Sequence, residues 1–371
     1  MRSILKAWLT IACFGMSAPL AWADIVIGQT AGFTGVSEAS VKEITDGAKL
    51  YLDAINAKGG VGGQKIQLVS LDDKFDPKLA AENAKQLITL RNVVALFLTR
   101  GTPHTQAILP LLAEYQVPLI APSTGALVFH KPVNPWVFNV RATYQREAER
   151  AVRHLSMIGI ERIAVIQVDD SFGSDAAEGA RRGFESVAKQ PVMHEKYDRE
   201  KWDFSKIAPK VMATEAQAVL FLGSGKAVVD GVDAIRKSGS RAQLVTLSNN
   251  ASRGFVNSLQ GNARGTIIAQ VFPSERSMST PMVKEANDLA AARGGIGLSP
   301  AMLEGFAAAK VLVAALRAAG ANPTRQKITD ALNAMHKLDL GGLELGFSST
   351  DHTGLDFVDL SIVAEDGRFL R

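Results

Sequence analysis

Cysteine is nearly absent from this 371-residue chain: Cys13 is the one example. Beyond residue 13 there can be no disulfide, no thiolate zinc site and no thiol nucleophile. Histidine is scarce too. None of the six stands three or four residues from another, the spacing that lets two imidazoles share a helix face around a metal. No metal and no other cofactor is expected. Neither sign of charge dominates, with 41 basic against 37 acidic residues, and no dense Lys/Arg cluster with interleaved aromatics occurs. Nucleic acid is thereby excluded as a partner.

Nucleotide-binding and catalytic signatures are missing as well. No Gly-x-Gly-x-x-Gly follows a strand-like run. The glycine run 59–63 lacks the Gly-Lys-Ser/Thr ending of a phosphate loop, and it reads as a helix stop and turn. Ser186-Val187-Ala188-Lys189 lies at a helix end without companion motifs, and Gly223-Ser224-Gly225 lacks the outer glycines of a nucleophile elbow. No acid, base and nucleophile can be assembled, so an enzyme is not expected.

What is present begins with an export signal. Arg2 and Lys6 head an apolar stretch that ends in Ala21-Trp22-Ala23, a small-x-small cleavage site. Cleavage after Ala23 leaves 348 residues with 39 basic and 37 acidic side chains. No later apolar run is long enough to span a membrane. An exported chain without disulfides depends on core burial, and this length supports two domains.

From residue 24 short apolar runs alternate with amphipathic ones. Strands are expected at 25–28, 65–71, 93–98 and 118–121, with helices at 41–57, 79–90 and 104–115 between them. A second series follows residue 141, with helices at 144–157, 175–187, 204–213 and 227–237. Its strands fall at 162–168, 192–197, 218–222, 244–247 and 266–270. Ala-rich helices at 282–293, 301–319 and 325–335 come next, then an expected two-strand ending at 343–347 and 357–363. Such alternation specifies α/β architecture, two mostly parallel sheets flanked by helices.

The stretch 99–126 carries the clearest chemistry, because it contains two strand-to-helix junctions side by side. The first offers Thr102 as a helix cap and Pro103 at the first helical position. The second ends in Pro122-Ser123-Thr124-Gly125. Together they form a cradle of amides and hydroxyls at the positive end of a helix, able to hold a carboxylate without a cationic side chain. Tyr144 starts the second series and is a candidate wall for the ligand, as are Ser248 and Asn249 after the strand at 244–247. Thr34 and Ser37, on the first loop, either line the pocket or cap a turn.

Gly28-Gln29-Thr30-Ala31-Gly32, the segment 55–63, Asp72-Asp73-Lys74-Phe75-Asp76-Pro77, Val140-Arg141-Ala142-Thr143-Tyr144 and Asp169-Asp170-Ser171-Phe172-Gly173 closely resemble periplasmic solute-binding proteins of the branched-chain amino acid ABC transporter family. The resemblance spans almost the whole mature chain. It implies a two-lobed type I periplasmic binding fold with three hinge crossovers, residues 24–142 and 274–337 in one lobe and 143–273 and 338–371 in the other. It also implies a periplasmic monomer that delivers a small solute to inner-membrane permease subunits, or alternatively a sensor that reports occupancy to a signalling partner.

Carried over, the family's carboxylate-holding hydroxyl falls on Thr102, with backbone donors near His104 and Thr105. The second contact loop falls on Ser123, Thr124 and Gly125, and an aromatic from the facing lobe falls on Phe172. Where leucine-binding members receive the α-ammonium on a tyrosine and an acid, this chain has Gly225 and Ser248. The ligand is therefore expected to be a carboxylate-bearing solute, an organic or aromatic acid before an amino acid. Asp169 and Asp170 are the remaining groups able to meet an ammonium.

Overall fold

The computed structural model describes residues 23–295 and 297–371. The expected signal peptide, with Cys13, lies outside them. Among the described residues no helix is long and apolar enough to cross a membrane.

The first lobe is built from β1 (Ile25–Ala31), α1 (Glu38–Ala57), β2 (Ile66–Asp72), α2 (Pro77–Thr89), β3 (Ala95–Phe97), α3 (Thr102–Tyr115), β4 (Leu119–Ile120) and β5 (Val137–Phe138). Its five strands are all parallel, in the order β2-β1-β3-β4-β5. The strand order reverses at β1, so the ends of β1 and β3 flank an open crevice.

The chain then crosses over to α4 (Tyr144–Met157), β6 (Ile163–Val168), α5 (Ser171–Ser186), β7 (Met193–Tyr197), α6 (Ile207–Ala213), β8 (Ala218–Leu222), α7 (Gly225–Lys237), β9 (Gln243–Thr246), α8 (Arg253–Ser258) and β10 (Ile267–Gln270). It returns to cover the first sheet with α9 (Pro281–Ala292), α10 (Pro300–Ala319) and α11 (Arg325–Asn333). The alternation of apolar strands with helices read from the sequence is present in both series. Both sheets have helices on both faces, as continuous apolar strands such as β6 and β8 require.

The chain's end differs from expectation. The short strands β11 (Leu338–Asp339) and β12 (Glu344–Leu345) pair with each other, while β13 (Asp359–Val363) pairs antiparallel with β10 and with β14 (Phe369–Leu370). Residues 343–347 and 357–363 are therefore not partners. Leu340, Leu345, Phe347 and Leu355 pack into the core around α1 and α10, and the chain rejoins the second sheet only at β13. The seven strands there run β14-β13-β10-β9-β8-β6-β7.

Two glycines let α1 and α10 cross at backbone contact. A Cβ on Gly47 would lie 1.9 Å from the Met302 carbonyl oxygen, and one on Gly305 1.8 Å from that of Ile44. The lobes themselves are closed on one another. The Val36 carbonyl accepts from the Lys226 amide at 3.2 Å, the Glu43 carboxylate from the amides of Arg253 and Gly254 at 3.0 and 2.8 Å, and Asp175 from the Leu127 amide at 3.0 Å.

Candidate functional site

Two junctions of the first lobe meet where the sequence placed the cradle. Gly101, with φ of 91°, takes the cap position of α3, so Thr102 is the first helical residue rather than its cap. That change frees the Thr102 hydroxyl, which lies 2.8 Å from the Thr124 hydroxyl. Among the described residues the amides of Thr102, His104 and Thr124 have no hydrogen-bond acceptor in the protein, and α3 has no side-chain cap. These amides are donors without a partner at the N-terminal end of α3 and on the loop beside it.

Other expected members have different employment. The Thr105 amide donates to Gly101 at 3.0 Å inside the helix, and its hydroxyl pairs with Thr99. It offers a ligand nothing. The His104 ring is fully buried and lies against Phe75, with ring centroids 4.1 Å apart. Burial pushes the His104 imidazole down to about 4, and it is neutral. Gly125 is a close-approach position: its carbonyl accepts from Tyr144, and a Cβ there would lie 2.6 Å from the Ala142 carbonyl. The glycine serves the crossover.

Ser123 breaks the expectation of an uncharged cradle. Its hydroxyl accepts from Arg100 Nη1 at 2.8 Å and donates to Glu304 at 2.6 Å. The Arg100 guanidinium, 3% exposed, also reaches the Ser40 hydroxyl at 3.2 Å and, from the other lobe, the Asn249 carbonyl at 2.6 Å. A cation therefore sits beside the cradle after all. Ser248 is held in a matching way: its amide and hydroxyl donate to Glu147, and its hydroxyl accepts from Arg141 at 2.6 Å.

Arg141 and Glu147 are paired and both almost fully buried, with the second Arg141 nitrogen 3.6 Å from Glu304. Burial opposes the charge on Arg141, but Glu304, Tyr144 and Glu147 outweigh it and hold the guanidinium firmly protonated. Two arginines and two glutamates cancel, so the cluster carries no net charge. Tyr144 lies under Arg141, 4.6 Å from ring to guanidinium, and packs edge-on against Phe172 at 4.8 Å. Both rings are buried in the apolar core around α4 and α5.

Arg100, Arg141, Glu147 and Glu304 were not singled out from the sequence. Glu304 carries the clearest signal, the one carboxylate of an Ala-rich helix whose other charges, Lys310 and Arg317, lie in its second half. Between the lobes a cavity of about 460 Å³ opens on the far side of Arg100, lined by Ser37, Ser40, Gly225 and Asn249 among others. Of the sequence's site candidates, Ser37 and Asn249 line it. Neither Asp169 nor Asp170 is free to meet an ammonium. Asp169 pairs with Lys196, while Asp170 pairs with Arg199 and caps α5.

A family profile described as periplasmic binding protein matches residues 24–361. An amino acid binding protein of Pseudomonas aeruginosa is 26% identical over 227 residues, so the chain spans 61% of that protein's length. The Leu/Ile/Val-binding protein BraC3 of Rhizobium johnstonii is 26% identical over 321 residues, 85% of each chain. Among solved structures, a substrate-binding periplasmic protein from Ralstonia solanacearum superposes with a TM-score of 0.85 at 30% identity, over 94% of this chain and 99% of that one. A branched chain amino acid ABC transporter protein of Thermus thermophilus with bound valine has the same fold, with a TM-score of 0.82 at 16% identity over 94% of each chain.

Proposed function

This chain belongs to the periplasmic binding protein family, and on that premise we propose that it captures a small carboxylic acid between its lobes for an ABC-type importer. Family membership implies the periplasm, and the relatives are named for solutes that they bind rather than for reactions. The observation that carries the carboxylate is the set of unpartnered amides at Thr102, His104 and Thr124, beside two mutually bonded hydroxyls and the Arg100 guanidinium. A carboxylate supplies what those donors lack.

An α-amino acid fits less well. Glu147 and Glu304 are engaged with Arg141, Ser123 and Ser248, and the two loop aspartates with cations. A buried ammonium would find no carboxylate of its own, at a cost on the order of 1–3 kcal/mol. Capture works by population shift: the solute touches both lobes only when they are closed, and so favours closure.

Thermal-shift screening tests the reading. Organic acids raise the melting temperature in a dose-dependent way, and Thr102→Val abolishes the rise. A shift produced by sugars or by amino acids alone contradicts it.

A further inference from the structure

Two residues that line the interlobe cavity each carry a buried polar atom with no partner in the protein: the hydroxyl of Ser37, 3% exposed, and Oδ1 of Asn249, 4% exposed. The Asn249 amide cannot turn to relieve this. Its nitrogen donates to the Gly223 carbonyl, which only accepts, and to Ser224. Ser37 stands at the cap position of α1 yet makes no cap bond. The neighbouring polar groups are satisfied: Ser40 donates to the Ser37 carbonyl and accepts from Arg100, Asn250 holds Gly225 and Thr246, and Ser252 caps α8. What the cavity lacks is one group that donates to Oδ1 and accepts from, or donates to, a hydroxyl.

Charge selects among the groups able to do so. The cavity receives the N-terminal ends of α1 and α7, and Lys42, Lys226 and Glu38 line it; the first two amides of α7 donate to Asn250 Oδ1 and the Val36 carbonyl, while α1 has no side-chain cap. The uncapped end of α1, with two lysines against one glutamate, disfavours an ammonium. A second carboxylate would set its own acceptor oxygens against Asn249 Oδ1. An uncharged hydroxyl meets both requirements. Arg100 ties this cavity to the cradle, with Nη1 on the Ser123 hydroxyl and Nη2 on Ser40 and the Asn249 carbonyl.

We propose that the solute is a hydroxy acid whose hydroxyl, remote from its carboxylate, binds Asn249 Oδ1 and the Ser37 hydroxyl in this cavity. The assignment rests on the carboxylate reading above. Such a site rejects the analogue that lacks the hydroxyl, because the two protein atoms then stay unpaired.

Calorimetric titration with two series tests it: 4-hydroxybutanoate, butanoate, 4-aminobutanoate and succinate, and 4-hydroxyphenylacetate with phenylacetate. In a series that binds, the hydroxy acid is at least about tenfold tighter than its unsubstituted analogue. Ser37→Ala lowers that ratio to threefold or less and leaves the unsubstituted acid's Kd unchanged. Equal affinities, a preference for the amine or the second carboxylate, or equal weakening of all acids by Ser37→Ala overturns the hydroxyl assignment alone. Failure of every acid to bind overturns the carboxylate reading and this inference with it.

Discussion

At the scale of single residues, Arg141 and Glu147 hold the crossover together from inside the protein. Replacing one partner leaves the other buried and uncompensated. Glu147→Gln should lower stability by about 3–5 kcal/mol in urea denaturation, whereas Arg141→Met combined with Glu147→Leu should recover part of that loss. A double variant no more stable than the single one would show that the pair stabilises by more than mutual neutralisation. The sequence left these roles hidden for a physical reason. Arg100 and Arg141 stand at strand ends, where a charge ordinarily faces water, and here each meets a group of the second lobe, the Asn249 carbonyl or the Ser248 hydroxyl.

His130 makes a pH prediction at the same scale. It is 1% exposed, both ring nitrogens lack partners, and burial, aided by Arg141, pushes its imidazole down to about 4. A folded value below the unfolded 6.5 means that its contribution is complete above pH 6.5 and is lost as the pH falls toward 4, by roughly 3 kcal/mol. Asp73, pushed up to about 7 by burial, has the opposite sign: its stabilising share is full below about pH 4 and disappears as the pH rises through 7. His130→Leu should therefore narrow the stability difference between pH 7 and pH 4 relative to the parent chain, measured by urea midpoints. An unchanged difference would mean that the folded protein accommodates the charged ring.

Among the elements, the α1 and α10 crossing depends on Gly47 and Gly305, where a methyl group would meet backbone that cannot step aside. Gly47→Ala should cost about 3 kcal/mol or more, again by urea denaturation, and a loss under about 1 kcal/mol would show that the helices slide apart freely. Most helices and strands were legible because amphipathic period and strand burial are local properties. The cap of α3 was not, since Thr102 is the better cap by composition and the backbone of Gly101, with its positive φ, took the position instead. The strand partners at the chain's end were illegible for a related reason. Pairing of β12 with β11, and of β13 with β10, is decided by which lobe each segment covers, and alternation within a segment carries no such address.

For the whole molecule, closure is the event that couples fold to function, and Gly225 isolates it. A Cβ there would lie 1.8 Å from the Val36 carbonyl across the lobe interface, and φ is 48°. Gly225→Ala should reduce solute affinity at least tenfold while lowering the stability of the empty protein by only about 1–2 kcal/mol, the cost of the left-handed backbone. Scattering should show the variant more open than its parent in the presence of solute. Equal affinity and equal compactness would remove closure from the mechanism.

The most direct measurement is a crystal structure with the carboxylic acid that raises the melting temperature most. The carboxylate should lie within hydrogen-bond distance of the Thr102 hydroxyl or the amides of His104 and Thr124, with the solute in contact with residues of the 248–249 loop. A solute bound outside the cleft, or one whose carboxylate points away from Thr102 and Arg100, would contradict the account.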